Sequence, residues 1–395
     1  MKTSLFLVNA CPALMDWLIF LATFAVLYRA GEQRLTFTQC AWLAGTSAFF
    51  YMLASLGAGF ITSRKNARLI LWLSTALTLL GIMVCLFAGR FNTMLAGMAM
   101  LGVFPALFFN SFQAFMRGES APGGLMKTVG IYTLSWSMGT GMGFISSGSF
   151  YSHGPSLLAV LSLAIGLAII IVIIRHKRRP LEEISSEEYV ETEAADARPS
   201  NARYVWVGWI IIFTAMFVQK PLTSFFPAIC AAQGVGSLAA SLPLFLIFAV
   251  QAFAGLIMAR CRRFLYRRSP FVAAHALAAL LFFIIWIRPV MSVSVFAFSL
   301  LGVYFGFAFF CSVYYSSNSG NRVLNVGINE FLVGTASLAG IFISEWWMRF
   351  TADSSSMYAV CAIMLSVSVV LQFFTAGAAH YERGRRQKIA AGEKD

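Results

Sequence analysis

The chain has 395 residues, 59% of them hydrophobic and only 11% charged, with 29 Lys and Arg against 16 Asp and Glu for a net charge of +13. Soluble domains carry about 25% charged residues, so this chain cannot clothe a water-facing surface of its size, and much of it must face lipid. The basic excess then belongs to membrane topology and anionic headgroups, which removes nucleic acid from the expected partners and puts membrane lipids among them.

The apolarity comes in runs of about twenty residues, enough at 1.5 Å per residue to cross a ~30 Å hydrocarbon core. Continuous runs without strict alternation predict helices rather than barrel strands. The predicted spans are 4–28, 38–62, 69–88, 92–115, 128–147, 156–174, 204–229, 239–259, 270–287, 291–315, 323–347 and 357–378. The first is too long for a cleavable signal peptide and carries Asp16 at its centre. With the N-terminus inside, Arg29, Arg34, Arg90, Arg288, Arg349 and Lys220 are the only ones of the 29 basic residues outside the cytoplasmic segments, so both termini are expected in the cytoplasm.

Residues 175–203 break the rhythm with a basic opening, an acidic run from Glu182 to Asp196 and a basic close. They cannot bury a core and read as a solvated linker. The expected organisation is a six-helix bundle over 1–174, the linker over 175–203, a second six-helix bundle over 204–378 and a basic cytoplasmic tail over 379–395. The seven cysteines have no metal-ligand spacing and read as apolar packing residues. No metal site or bound cofactor is expected.

The halves echo one another. Leu101-Gly102-Val103-Phe104 matches Leu301-Gly302-Val303-Tyr304, and Val129-Gly130-Ile131 matches Val326-Gly327-Ile328 with Gly143 opposite Gly340. Gly59 before Ser63-Arg64 matches Gly255 before Ala259-Arg260. Near-constant offsets of 200, 197 and 196 pair span n with span n+6, which reads as two parallel six-helix halves.

With its 6+6 arrangement, cytoplasmic ends and long central loop, the whole chain resembles the major facilitator superfamily. That family's motif between the second and third spans appears here as Gly59-Phe-Ile-Thr-Ser63-Arg64-Lys65-Asn66-Ala67-Arg68. By resemblance, Gly59, Arg64 and Arg68 belong to a cytoplasmic gate, while Ser63 stands where the family has an acid. Gly139-Thr140-Gly141-Met142-Gly143 resembles the glycine-rich fifth helix of family exporters without their Gly-Pro pair; plain helix packing is the competing reading. The resemblance implies an all-α integral membrane protein of twelve transmembrane helices in two pseudo-symmetric six-helix bundles. It also implies a monomer.

Ionisable residues at bilayer depth cost several kcal/mol and are candidates for function. Asp16 in span 1 and Lys220 in span 7 occupy repeat-related spans that line the family's central cavity. Asp16 is the first candidate for proton coupling, and Lys220, with its neighbour Gln219, for substrate binding; a static ion pair between Asp16 and Lys220 is the alternative. Pro221 interrupts the helix ladder beside them. Asn110 and Gln113, at i,i+3 in span 4, share a face and are candidates for binding, with Tyr304 and Tyr314 of span 10 as further ones. Glu330, about two turns into span 11, reads either as a second protonation site or as a gate contact to Arg64 or Arg117. Gln251 and His275 read as satisfied polar residues at helix contacts, and Glu345 as an interfacial residue.

No Gly-x-x-x-x-Gly-Lys-Ser/Thr sequence is present, so ATP is not the expected energy source. The leading expectation is a proton-coupled secondary transporter of a small solute in a bacterial inner (plasma) membrane, and not an enzyme. A non-transporting receptor or scaffold on the same fold is the main alternative. A membrane-embedded transferase ranks lower, because His153, His176, His275 and His380 have no partnering motif.

Overall fold

A computed structural model describes residues 2–63, 65–116, 125–177, 203–318 and 322–390, with the backbone alone at 2–5, 59, 262, 322–323, 380 and 382–390. Among the described residues are twelve long helices: α1 (Lys2–Glu32), α2 (Phe37–Ile61), α3 (Ala67–Phe87), α4 (Phe91–Phe115), α5 (Leu125–Phe150), α6 (Pro155–Arg175), α7 (Tyr204–Ala232), α8 (Ser237–Met258), α9 (Arg268–Ile287), α10 (Met291–Ser317), α11 (Arg322–Thr351) and α12 (Ser356–Ala390). Each matches an expected span to within a few residues, except that α12 runs on to Ala390 through what the sequence suggested was a tail.

Eleven of the twelve are long and apolar enough to cross a membrane; α5 is not among them. The reason lies in its composition and place. Gly139, Thr140, Gly141, Gly143, Ser146, Ser147 and Gly148 are all buried, because α5 is sandwiched between α1 and α8 and offers small residues for close helix approach rather than apolar ones for lipid.

The helix pairs of the first half recur six elements later. Contacts α1–α5, α2–α4 and α3–α6 have counterparts in α7–α11, α8–α10 and α9–α12. The agreement reaches single atoms. A Cβ on Gly102 would lie 2.5 Å from Ser47 O and 2.8 Å from Phe50 Cβ; on Gly302 it would lie 2.5 Å from Ile247 O and 2.8 Å from Val250 Cβ. Gly143 is held against the backbone of Trp17, and Gly340 against that of Phe217.

The repeat also shows in a turn that no sequence match betrays. After α1, Arg34 sits at φ 53° while Leu35 N–H bonds Ala30 O at 2.9 Å; after α7, Gly234 sits at φ 75° while Val235 N–H bonds Cys230 O at 2.9 Å. Both close their helix with a left-handed residue, glycine in one half and a strained arginine in the other.

At the motif between α2 and α3, Asn66 Oδ1 accepts from Ser63 N–H at 2.7 Å and Ser63 Oγ at 3.0 Å, and Asn66 Nδ2 donates to Ile61 O at 2.8 Å. Ser63 and Asn66, at positions that depart from the expected motif, thus lock the turn locally.

Candidate functional site

The halves meet along two seams, α5 with α8 and α2 with α11, while α1 and α7 face one another between them. The α5–α8 seam is closed along its length. At the end away from the chain termini, Ser237 Oγ donates to Gly148 O at 2.8 Å and Gly148 is packed against Ser241. Midway, Gln251 Nε2 donates to Ser137 Oγ at 2.9 Å. Towards the termini, Gly255 lies under Thr133, and Gly130 against Ala259.

The α2–α11 seam stands open towards the termini and is held at the far end. There Thr38 Oγ1 donates to Glu345 Oε1 at 2.5 Å, and Trp42 stands edge-on to Phe342 at 5.4 Å. Glu345 is 6% exposed and also pairs with Arg349 at 3.5 Å, so it joins the halves. A Cβ on Gly334 would still meet Met52 at 3.1 Å, but among the described residues a Cβ on Gly57 or Gly327 would meet nothing within 4 Å, and Phe60 is 93% exposed. The far end is tied further by Tyr28 OH, which donates to Val235 O at 2.7 Å between the halves.

Between the seams lies a cleft. Glu330 of α11 and Tyr132 of α5 are exposed there, Tyr132 by 44%. Tyr51 of α2 and Tyr132 of α5 both lie within electrostatic reach of Glu330 on α11 and of Asp16 on α1. Asp16 is 8% exposed, and it attracts Lys220 of α7. No hydrogen bond or ion pair among the described residues joins the two. Instead the Lys220 ammonium stands 5.7 Å from the centroid of the Phe20 ring, one helical turn beyond Asp16 on α1. Glu330 takes a side-chain hydrogen bond from Asn329, whose Oδ1 accepts from Ser312 Oγ at 3.0 Å. Of the expected residues, the structure therefore brings Asp16, Lys220 and Glu330 to one cleft.

Other expected residues lie elsewhere. Gln219 is sealed in the interior, where its Nε2 donates to Gln251 Oε1 at 2.8 Å and extends the seam chain from Ser137 through α8 to α7. Tyr304 is buried against His275 with ring centroids 5.4 Å apart, inside the second half. Tyr314 is buried in a tyrosine cluster, stacked on Phe310 at 6.0 Å and 5.8 Å from Tyr315. These three lie away from the cleft in this conformation: a polar residue in a bundle can face another helix as readily as a cleft, and rotational phase is set by neighbours that one span does not reveal. Asn110 Nδ2 turns back to Ala106 O at 2.8 Å, and Gln113 is exposed; neither bonds Asp16, Lys220 or Glu330.

Of the gate residues, Arg68 donates to His176 O at 2.5 Å and lies 5.7 Å from the centroid of the Phe115 ring, tying α3 to α4 and the end of α6 within one half. Arg64, Arg117 and the side-chain surroundings of Gly59 lie outside the described residues. His275 is satisfied only at Nδ1, which bonds Phe271 O at 2.8 Å; its Nε2 has no partner. Sequence reasoning missed Tyr51 and Tyr132. A signal existed, since Tyr51 lies midway along span 2 and Tyr132 about a turn into span 5, but it was masked by an aromatic content of 15%.

A twelve-helix bundle of two repeated halves around an accessible, charged cleft defines a polytopic membrane protein built for solutes to enter. The Major Facilitator Superfamily pattern matches residues 5–328, and the chain belongs to that family of membrane transporters. No curated protein matches the chain.

Proposed function

We propose that this protein is a proton-coupled secondary transporter that moves a small solute across a bacterial inner membrane by alternating access, as a monomer with cytoplasmic termini and no cofactor beyond the proton gradient. The observation that carries the reading is the pairing of Asp16 and Lys220: a carboxylate and an ammonium on the facing helices of opposite halves, attracting one another without a direct bond. A static structural pair would be expected in contact. A pair held apart in a cleft leaves the carboxylate free to gain and lose a proton as the surroundings change.

The unequal seams support alternating access. Rocking one half on the other requires one end held while the other parts, and the α2–α11 seam is arranged in that way. With cytoplasmic termini, this conformation opens inward. Glu330, on the wall of the opening, is expected to bind solute or a second proton, and Gly59, Arg64 and Arg68 belong to the side that must close in the outward-facing state.

The test is movement of labelled metabolites and organic cations in sealed proteoliposomes, with and without an imposed pH gradient. Gradient-driven accumulation in the wild type, reduced to equilibration in Asp16→Asn, is the expected result. Movement that ignores both gradient and substitution would recast Asp16 and Lys220 as structural. Absence of movement for every solute would favour a receptor.

A further inference from the structure

We propose that the outer groove between α9 and α12, at the end that carries the chain termini, holds an anionic phospholipid, with Arg268 stacked on Phe373 as the contact for its phosphate. The inference rests on the chain crossing a membrane and is independent of what the cleft carries.

The first observation is how Arg268 is held. Its Cζ lies 3.2 Å from the centroid of the Phe373 ring on α12. One turn further along that helix, a Cβ on Gly377 would stand 3.5 Å from Arg268 Nη1, so glycine makes room for the guanidinium. Stacking covers a face of the guanidinium but leaves its N–H donors, which lie in its plane, directed past the ring. Among the described residues no acceptor or carboxylate answers them.

The repeat supplies a comparison. Arg68 stands 200 residues earlier, at the offset that relates Gly102 to Gly302. It too faces a ring, Phe115 at 5.7 Å, but it donates to His176 O at 2.5 Å at the end of α6. The sixth helix of the first half therefore supplies an acceptor, and that of the second supplies a ring and a glycine. Donors oriented by stacking and left without a protein acceptor suit an external oxyanion, which a guanidinium binds through two N–H groups at once.

The surroundings identify that oxyanion as a lipid phosphate. From the arginine towards the bilayer centre both helices expose apolar side chains, Leu277 and Leu280 on α9 and Val370 and Phe374 on α12. Acyl chains are the natural cover for such a surface, and a soluble anion gains nothing from it. Further positive charge stands beside Arg268, because Arg263 and Arg267 are exposed in the connector from α8. That connector is pinned at Tyr266, which sits at φ 62°. Tyr204 OH donates to its carbonyl at 2.7 Å, its N–H donates to Tyr315 OH at 3.3 Å, and Asn318 Nδ2 donates to its hydroxyl at 3.0 Å. Arg267 is the next residue, so a fixed backbone presents it at the surface where anionic headgroups attract basic side chains.

The experiment is native mass spectrometry of the full chain released from detergent micelles, titrated with phosphatidylglycerol or with phosphatidylcholine carrying the same acyl chains. Phosphatidylglycerol is expected to bind the wild type at least about tenfold more tightly. Arg268→Gln should weaken it at least about fivefold and leave phosphatidylcholine within about twofold. Phe373→Leu, which keeps the charge and removes the ring, should weaken it about threefold. Arg175→Gln removes an exposed charge from α6 at the same end of the molecule and should change phosphatidylglycerol binding by less than about twofold. The thermal midpoint of each variant checks its folding. Equal phosphatidylglycerol binding to wild type and Arg268→Gln would overturn the site. So would equal losses in Arg268→Gln and Arg175→Gln, which would mark plain surface charge. Displacement of the lipid by ~1 mM inorganic phosphate would assign Arg268 to a soluble anion instead.

Discussion

The α5–α8 and α2–α11 seams are the same structure twice. Each joins the fifth helix of one half to the second helix of the other, and each includes a glycine near the end that carries the chain termini, Gly130 in one and Gly327 in the other. Yet Gly130 is packed on Ala259, while among the described residues a Cβ on Gly327 would meet nothing within 4 Å. The small residues of α5 let it approach α8 at every turn, while α11 brings Glu330 and the exposed Phe331 to the corresponding level of α2. Pseudo-symmetry in the backbone therefore does not make the seams equivalent. Side-chain size and one carboxylate decide which of them parts.

The largest expected effect contrasts the two seams directly. Gly148→Leu forces a side chain into Ser241 and Ser237 O and should cost about 3 kcal/mol in thermal unfolding in detergent. Gly327→Ala meets open space on a helix and should stabilise by up to about 1 kcal/mol. Equal outcomes would mean that the seams do not differ in packing.

Next comes the chain Gln219–Gln251–Ser137. Gln251→Leu leaves a donor on Gln219 and the hydroxyl of Ser137 unanswered in the interior, and should cost about 1–2 kcal/mol in the same assay. A smaller change is expected on the other seam. Thr38→Val removes the hydrogen bond to Glu345 and should cost about 0.6–1 kcal/mol. Its clearer readout is geometry: spin labels at Gln39 and Trp346 should gain a longer-distance population, while labels across α5–α8 should not. A shift at both seams would make the far end a single clasp rather than two.

The smallest effect concerns the far-end connection between α5 and α6. Tyr151 OH donates to Glu32 at 2.6 Å, and burial, followed by that carboxylate, holds its phenol above the ordinary value. A phenol whose folded value is raised contributes stability that is present below pH ~10 and is lost as pH rises through the folded value. Alkaline unfolding should therefore show the wild type ahead of Tyr151→Phe by under about 1 kcal/mol at neutral pH, with the gap closing above pH ~10. A gap that persists into strong alkali would place the contribution elsewhere.

Much of this molecule is determined along the chain itself. Apolar runs of span length dictate the helices because unpaired backbone cannot face lipid, and matched glycines at near-constant offsets disclose the repeat because close helix approach needs them at the same levels. Asp16, Lys220 and Glu330 stand out for a similar reason: charge at bilayer depth is too costly to be incidental. Only the tertiary structure decided the rest. Gln219, Tyr304 and Tyr314 looked equally suited to a cleft, but helix rotation turned them into packed interior. Tyr51 and Tyr132 looked like two aromatics among many, and the fold brought both within electrostatic reach of Glu330 and Asp16. One span specifies which residues can share a face; which face meets water, lipid or another helix depends on neighbours tens or hundreds of residues away.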